Sequence, residues 1–169
     1  MGTVATTGRR DAGLRMRPLR ADEVFVVAGL VRTAAPACAP MAPRDVLEHL
    51  DGFEVVADRR DRIVASAGLW ALPDGRLELR GLVVAPRWRG RGLGRRLAGR
   101  AAARAARRRR ALVCVTRSPG FFEQLGFQRI PLAGVPPKPL AAHGSDGERP
   151  RVALARPARP AAATRGAIA

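Results

Sequence analysis

A change of pattern between residues 77 and 110 constrains the fold of this chain more than any other feature. Leu77 to Val84 predicts a strand, and its second half, Leu82-Val83-Val84, is apolar on both faces, as in a strand at the centre of a sheet. The turn Arg89-Gly90-Arg91-Gly92-Leu93-Gly94 follows, and Gly92 to Arg110 predicts a helix with Leu or Ala at every fourth position of one face. N–H groups at a helix N-terminus bind phosphate, and glycine lets the backbone approach the anion. The segment therefore predicts a phosphate-binding turn between a strand and a helix.

Two well-known phosphate motifs do not fit this turn. A Walker A loop needs Lys followed by Ser or Thr after its last glycine, whereas Gly94 precedes Arg95-Arg96. A dinucleotide-binding fold needs an acidic residue about 20 positions further on, and the next acidic residue here is Glu123. Both motifs are therefore excluded.

The whole sequence predicts one domain, residues 14–156, between a loose leader at 1–13 and a disordered tail, rich in Ala, Arg and Pro, at 157–169. The predicted strands are 14–19, 53–57, 63–72, 77–84, 111–116, 127–130 and 151–155, and the predicted helices are 24–31, 44–50, 92–110 and 119–125. Asp22 is the expected cap of the first helix. Val46, Leu47 and Leu50 are the expected buried side of the second.

Composition adds a strong positive charge. The formal net charge is +17, with 31 Lys and Arg against 14 Asp and Glu. Biased codon usage and a polyanionic partner both account for such an excess. Between Leu79 and Phe122 the chain has 13 arginines and no acidic residue, so the charge is concentrated around the predicted phosphate turn.

The sequence contains no pattern typical of a metal site or of a membrane-spanning segment. Cys38 and Cys114 form no CxxC pair, and His49 and His143 complete no zinc pattern. No run approaches the roughly 18 apolar residues of a membrane span, and Arg9-Arg10 is not followed by the apolar stretch of an export signal. We therefore expect no metal, no membrane contact and a reducing cytoplasm.

Two separate hallmarks resemble the GNAT acetyltransferase superfamily. Arg89-x-x-Gly92-x-Gly94, after the strand that ends at Val84, is similar to the coenzyme A signature of that superfamily. Phe121 to Phe127 is similar to its later short helix and following strand, and the likeness covers about residues 53–130. The resemblance implies an α/β (α+β) fold, with a strongly twisted, mostly antiparallel mixed sheet and helices on both sides. Its two central strands would part at a bulge and admit the pantetheine arm.

The resemblance also implies acetyl-CoA as the acyl donor, and it implies the residues that contact it. The expected contacts are the backbone of Leu82, Val83 and Val84, a pyrophosphate cradle of Arg89, Gly90, Arg91, Gly92, Leu93, Gly94 and Arg95, and Phe122 beside the pantetheine arm.

Glu78 stands where the family often places the base that removes a proton from the amine. A base with a pKa near neutral works best, and partial burial raises the pKa of a carboxyl group toward that value. The alternative is an outward-facing strand residue that balances Arg76 or Arg80.

The acid that protonates the departing thiolate is often a Tyr of the family's short helix, but this chain has no Tyr. Phe122 stands at the matching position. Either the thiolate leaves unassisted, or Cys114, Thr116 or Ser118 donates the proton. Ser118 is expected to cap the short helix instead.

Three function classes stay open. The doubled Phe and Val135 to Lys138 loosely resemble GNAT members that acetylate free amino acids, which favours a small-molecule amine as acceptor. A protein or peptide acetyltransferase is the alternative, because the predicted substrate-side helices contain acidic residues that suit a basic peptide. These residues are Asp22, Glu23, Asp45, Glu48 and Asp51. A nucleic-acid-binding module is disfavoured, since no aromatic residue is interleaved with the arginines of 107–110. The oligomeric state is left open, with a homodimer among the options.

Overall fold

The fold is one mixed sheet with helices on both faces. The computed structural model describes residues 13–34, 38–135 and 152–158. Within these ranges the strands are β1 (Arg15–Pro18), β2 (Glu54–Ala57), β3 (Ile63–Ala71), β4 (Leu77–Val84), β5 (Leu112–Thr116), β6 (Gln128–Ile130) and β7 (Val152–Arg156). The helices there are α1 (Val24–Arg32), α2 (Pro43–Glu48), α3 (Leu93–Arg107) and α4 (Pro119–Glu123). Lys138 and most of the predicted leader and tail lie outside the described residues.

The strands of the described ranges follow one another across the sheet in the order β1-β2-β3-β4-β5-β7-β6. Each neighbouring pair is antiparallel except β4 and β5, which are parallel. This arrangement confirms the predicted mostly antiparallel mixed sheet. It also places β4 at the centre, as its doubly apolar second half predicts.

The parallel pair of β4 and β5 is short. Leu77 pairs with Leu112 and Glu78 with Val113, and no further pair joins these two strands, both of which are fully described. The strands part after Glu78, so a gap opens in the middle of the sheet toward their C-terminal ends.

A bulge in β4 borders this gap, as the family resemblance implies. The register with β3 shifts between Ser66 and Gly68, leaving Gly81 and Leu82 opposite a single residue. Gly81 has a φ of 59°, a left-handed conformation that favours glycine. A Cβ there would also lie only 3.3 Å from the Phe53 ring. The bulge bends β4 where it runs along the gap.

Two hydrophobic clusters cover the two faces of the sheet. On one face, α3 contributes the stripe that its sequence predicts, and each of its members is at most 5% exposed: Leu93, Leu97, Ala101 and Ala105. On the other face, Val31 of α1 and Val46 of α2 belong to the cluster around Phe53. Full burial of a Leu or Phe side chain contributes about 1.5–3 kcal/mol, so both helical layers stabilise the sheet.

Arg96, Arg100 and Arg104 recur at every fourth position of α3 and form its arginine face. Two of these arginines attach the helix to the sheet. Arg100 donates two hydrogen bonds, of 2.8 and 2.9 Å, to the buried carboxylate of Glu54 on β2. Arg104 donates to the backbone carbonyls of Gly52 and Asp51, at 3.0 and 2.8 Å. These two arginines therefore serve internal contacts.

Two predictions for the first two helices are wrong. Asp22 does not cap α1, because Ala21–Glu23 forms a 3-10 turn and Glu23 is the residue that precedes the helix. Leu47 is 51% exposed, although its spacing predicts the same buried side as Val46. Consecutive residues project about 100° apart around a helix, and the buried face of this six-residue helix includes Val46 but not Leu47.

The long helix α3 is shorter than the sequence predicts. It begins at Leu93, with Gly92 as its N-cap, and ends at Arg107 instead of Arg110. Arg109 has a φ of 53°, which is outside the helical region. The remaining boundaries agree with the predicted ones within the usual uncertainty of element ends.

Candidate active site

A cavity of about 420 Å³ lies where β4 and β5 part. Its wall contains the predicted site residues Glu78, Leu82, Val83, Val84, Arg89, Gly94 and Phe122. Ala34, Cys38 and Ala39 line it from the α1–α2 connection, and Phe121 lines it from α4. Because α1 and α4 cover opposite faces of the sheet, the cavity passes through the gap and is bordered from both sides.

The predicted phosphate cradle extends from Arg89 to Arg95, and two of its residues, Arg89 and Gly94, belong to the cavity wall. Gly90 and Gly92 have φ values of 74° and 75°, the left-handed conformation that favours glycine. Apart from the adjoining residues of the chain, no atom of the described residues lies within 4 Å of a Cβ built on either glycine, so these residues leave the space above the turn open. The first N–H groups of a helix have no intrahelical acceptor, so those at the start of α3 can bind an anion.

The side chains of the cradle have different surroundings. Arg89 Nε donates to the Val84 carbonyl at 3.1 Å, so this carbonyl already accepts one hydrogen bond from the protein. Leu93 is 1% exposed in the core, which leaves only its backbone for a ligand. The Arg91 guanidinium lies 4.7 Å from the centre of the Trp88 ring. Gly94 and Arg95 lie in the first turn of α3, where a Cβ on Gly94 would lie 3.5 Å from the Phe121 ring of α4.

Glu78 lies at the point where the two strands part. It is 1% exposed, so it is not the outward-facing residue of the alternative interpretation. Its Oε2 atom accepts no hydrogen bond from the described residues, and the closest cation is Arg80 Nε at 3.9 Å. Burial raises the pKa of the Glu78 carboxyl to about 7, against a smaller lowering by Arg80. A carboxyl group with this pKa exchanges a proton near neutral pH.

Arg80 is the site residue that sequence reasoning missed. Its side chain is 6% exposed in the cavity wall, and its guanidinium lies 4.0 Å from the centre of the Trp70 ring. His49 stacks on Trp70 with ring centres 3.9 Å apart. Strand alternation places Arg80 on the same face as Glu78, which is the one sequence signal that could have identified it.

The candidate acids on β5 and α4 differ in their surroundings. Cys114 is buried, and burial together with Glu78 raises the pKa of its thiol far above the ordinary value, so it stays protonated. The Thr116 hydroxyl accepts a 3.0 Å hydrogen bond from the Ser118 N–H. Ser118 occupies the N-cap position of α4, as predicted, but its side chain makes no capping hydrogen bond. Phe122 packs edge-on against Phe121 and Phe127, with ring centres 5.0 and 5.5 Å apart.

Neither metal nor membrane features occur in the described part of the chain. No group of three His, Cys, Asp or Glu side chains there could bind a metal ion. No helix among these residues has the length and apolar character needed to cross a membrane.

Comparison with solved structures shows the fold. The chain is similar to N-acetylglutamate synthase from Neisseria gonorrhoeae, complexed with coenzyme A and N-acetyl-glutamate, with a TM-score of 0.75 and 18% identity. The likeness covers 87% of this chain but only 35% of that protein, so this chain spans about a third of its length. It is also similar to Rv2747 from Mycobacterium tuberculosis in complex with CoA and NLQ, with a TM-score of 0.68, 20% identity and coverage of 85% and 98%.

A third solved structure has a different acceptor. The ribosomal-protein-S18-alanine N-acetyltransferase from Escherichia coli has a TM-score of 0.68 and 17% identity, and the likeness covers 89% of this chain and 97% of that protein.

No curated protein sequence matches the chain. The model of the acetyltransferase (GNAT) family matches residues 28–127, which is more than half of the sequence. The fold and the parting of β4 and β5 agree with this match. The chain therefore belongs to the GNAT family of acetyltransferases.

Proposed function

We propose that the protein transfers the acetyl group of acetyl-CoA to the primary amine of a small molecule, with a free amino acid as the leading candidate. The observation that supports this most strongly is the position of Glu78. It is a buried carboxyl group with an unpaired oxygen, in the wall of a cavity bordered from both faces of the sheet. An acyl donor can enter from one face and an amine from the other.

The residues of the gap suit a long, phosphorylated thioester. The left-handed glycines and the free start of α3 offer backbone N–H groups to the pyrophosphate, and Arg89, Arg91 and Arg95 supply positive charge around it. Leu82, Val84 and Phe122 provide an apolar wall for the pantetheine arm. Acetyl-CoA supplies an acetyl group activated as a thioester.

Glu78 acts as the base in this proposal. An ammonium group has no lone pair for attack, so it must lose a proton, and the ionised Glu78 carboxylate accepts it. The amine nitrogen then forms its bond to the acetyl carbon while the carbon–sulfur bond breaks, and sulfur leaves with the electron pair. The nitrogen loses its second proton as the neutral amide forms, and the released thiolate takes up this proton. A thiolate is a much weaker base than an amine, so it leaves without an acid, in accord with Phe122 at the position where relatives often have a Tyr.

Two observations weaken the other function classes. The acidic residues that would suit a basic peptide are partly engaged: Arg17 pairs with Glu23 at 2.6 Å, and Asp45 accepts the Ala42 N–H at 2.9 Å. On the arginine face that would suit a nucleic acid, Arg100 and Arg104 bind the protein's own backbone and Glu54. The solved relatives include both amino-acid and protein acetyltransferases by name, so the acceptor needs a direct test.

A thiol-release assay with acetyl-CoA tests the proposal. The panel contains free amino acids, simple amines and basic peptides, and mass spectrometry identifies each acetylated product. We expect acceptor-dependent release with a small amine. Release with peptides alone would favour the protein acetyltransferase, and no release with any member would contradict the proposal.

A further inference from the structure

Arg80 is a buried cation for which the described residues supply no adequate partner. Its side chain is 6% exposed, and it makes no hydrogen bond to any residue that the structure describes. Its closest carboxylate contact, Glu78 Oε2, lies 3.9 Å away, which is too long for a hydrogen bond. Trp70 covers one face of the guanidinium at 4.0 Å, but a ring below that face leaves the in-plane N–H donors unused.

Burial of an unpaired charge is costly, so buried charges in proteins are normally paired or hydrogen-bonded. The stack of His49, Trp70 and Arg80 fixes the guanidinium in the cavity wall in spite of this cost. Trp70 is a positioning residue in this arrangement, since it contacts Arg80 and limits its rotation. A fixed, unsaturated guanidinium facing a ligand cavity is suited to a planar anion such as a carboxylate, which it can bind with two parallel hydrogen bonds.

We infer that Arg80 determines acceptor specificity by binding a carboxylate of the amine substrate. This inference rests on the proposed function, because it assigns the acceptor to the same cavity. Nothing in the sequence resemblance assigns Arg80 a role.

The spacing of the two β4 residues supports an amino acid as the acceptor. Residues two apart on a strand project from the same face, and their Cα atoms lie roughly 6.5 Å apart. An α-amino acid has its amine and its carboxylate on one carbon atom, so it can present the amine to Glu78 and the carboxylate to Arg80. A neutral amine of the same shape would leave Arg80 unpaired, and a site built to bind a charged group discriminates against an analogue that lacks it.

The test compares L-amino acids with their α-carboxamides, which keep the amine and the side chain but lose the negative charge. Thiol release gives kcat/KM for each pair, in the wild type and in the Arg80→Gln and Arg80→Lys variants. Arg129→Gln is the matched control, because Arg129 lies on β6, is 62% exposed and pairs with Glu123. Calorimetry in the presence of CoA, which cannot donate an acetyl group, measures acceptor binding without turnover.

For at least one pair, we expect kcat/KM of the wild type to be about 10- to 100-fold higher for the amino acid than for its α-carboxamide. This is the range for hydrogen bonds to a charged group. Arg80→Gln should abolish this preference by raising KM for the acid, and Arg80→Lys should restore part of it. Loss of the Arg80 charge also acts on the Glu78 base, but this effect is common to acid and amide and cancels in the ratio of their kcat/KM values. Arg129→Gln should behave as the wild type. Equal kcat/KM for acids and amides in the wild type would overturn the inference, even if the variants fail to fold.

The calorimetric arm separates this inference from the proposed function. Acids that bind to the CoA complex of the wild type but not of Arg80→Gln support the carboxylate site, even if no acceptor is acetylated. Acids that are acetylated equally well by Arg80→Gln support the proposed function and overturn the role of Arg80. Absence of both acid binding and acid turnover also overturns it.

Discussion

At the scale of single residues, the proposed chemistry depends on how far burial raises the pKa of the Glu78 carboxyl group. The sequence identifies this residue through its place on the strand before the glycine turn, but it does not show whether the carboxyl group faces solvent. The structure places it at the end of the β4–β5 pairing, 1% exposed, where burial raises its pKa to about 7. A base with this pKa is half ionised at neutral pH.

The first prediction concerns Glu78→Gln. Because only the ionised carboxylate accepts a proton, kcat/KM of the wild type should rise as pH rises through about 7. The variant should lose this step and about 10²-fold of the neutral-pH rate, the usual scale for a positioned base. The deficit should shrink at high pH, where more of the amine is already deprotonated. The same pH–rate profile in both proteins would remove Glu78 from the mechanism, provided calorimetry shows unchanged acetyl-CoA affinity.

A second residue-scale prediction concerns the missing acid. Phe122→Tyr should leave turnover within a few-fold of the wild type, since departure of a thiolate needs little assistance. Cys114→Ala should cost less than Glu78→Gln, because the buried thiol stays protonated and is a poor nucleophile. Complete loss of turnover in Cys114→Ala with acetyl-CoA still bound would show that Cys114 takes part in the chemistry.

At the scale of elements, the strand–turn–helix unit is the part that could be predicted in most detail. The bounds of β4 agree with the sequence, and the buried stripe of α3 is where its four-residue spacing predicts. Tertiary contacts could not be predicted in the same way. The arginine face of α3 looks like a free basic surface in the sequence, yet Arg100 pairs with Glu54, which is far away along the chain.

The turn itself can be tested with two glycines of similar conformation. Gly92 has a φ of 75° before α3, and Gly75 has a φ of 86° in the turn between β3 and β4. Valine at either position should cost about 1–2 kcal/mol of stability, the penalty for a left-handed residue with a side chain. Only Gly92→Val should also weaken acetyl-CoA binding, by more than about tenfold, because it alone distorts the predicted cradle. Calorimetry beside thermal unfolding separates the two effects, and equal acetyl-CoA affinity in both variants would contradict the cradle.

At the scale of the whole molecule, the gap in the sheet is the feature that connects fold and function. The family resemblance implies parted strands beside a bulge, and both are present. The stack of His49, Trp70 and Arg80 could not be predicted from local pattern, because its members come from three separate segments that only the folded sheet brings together. Strand alternation gives the face of a residue, but not the side chains that cover that face.

The central claim is that donor and acceptor occupy the cavity together and that the acetyl group moves directly between them. Initial-rate kinetics test this claim most directly, with acetyl-CoA varied at several fixed concentrations of the best acceptor from the panel. Direct transfer requires a complex of both substrates with the enzyme, so the double-reciprocal lines should intersect. Parallel lines, together with an acetylated enzyme detected by mass spectrometry after mixing with acetyl-CoA alone, would show a covalent intermediate and contradict the account.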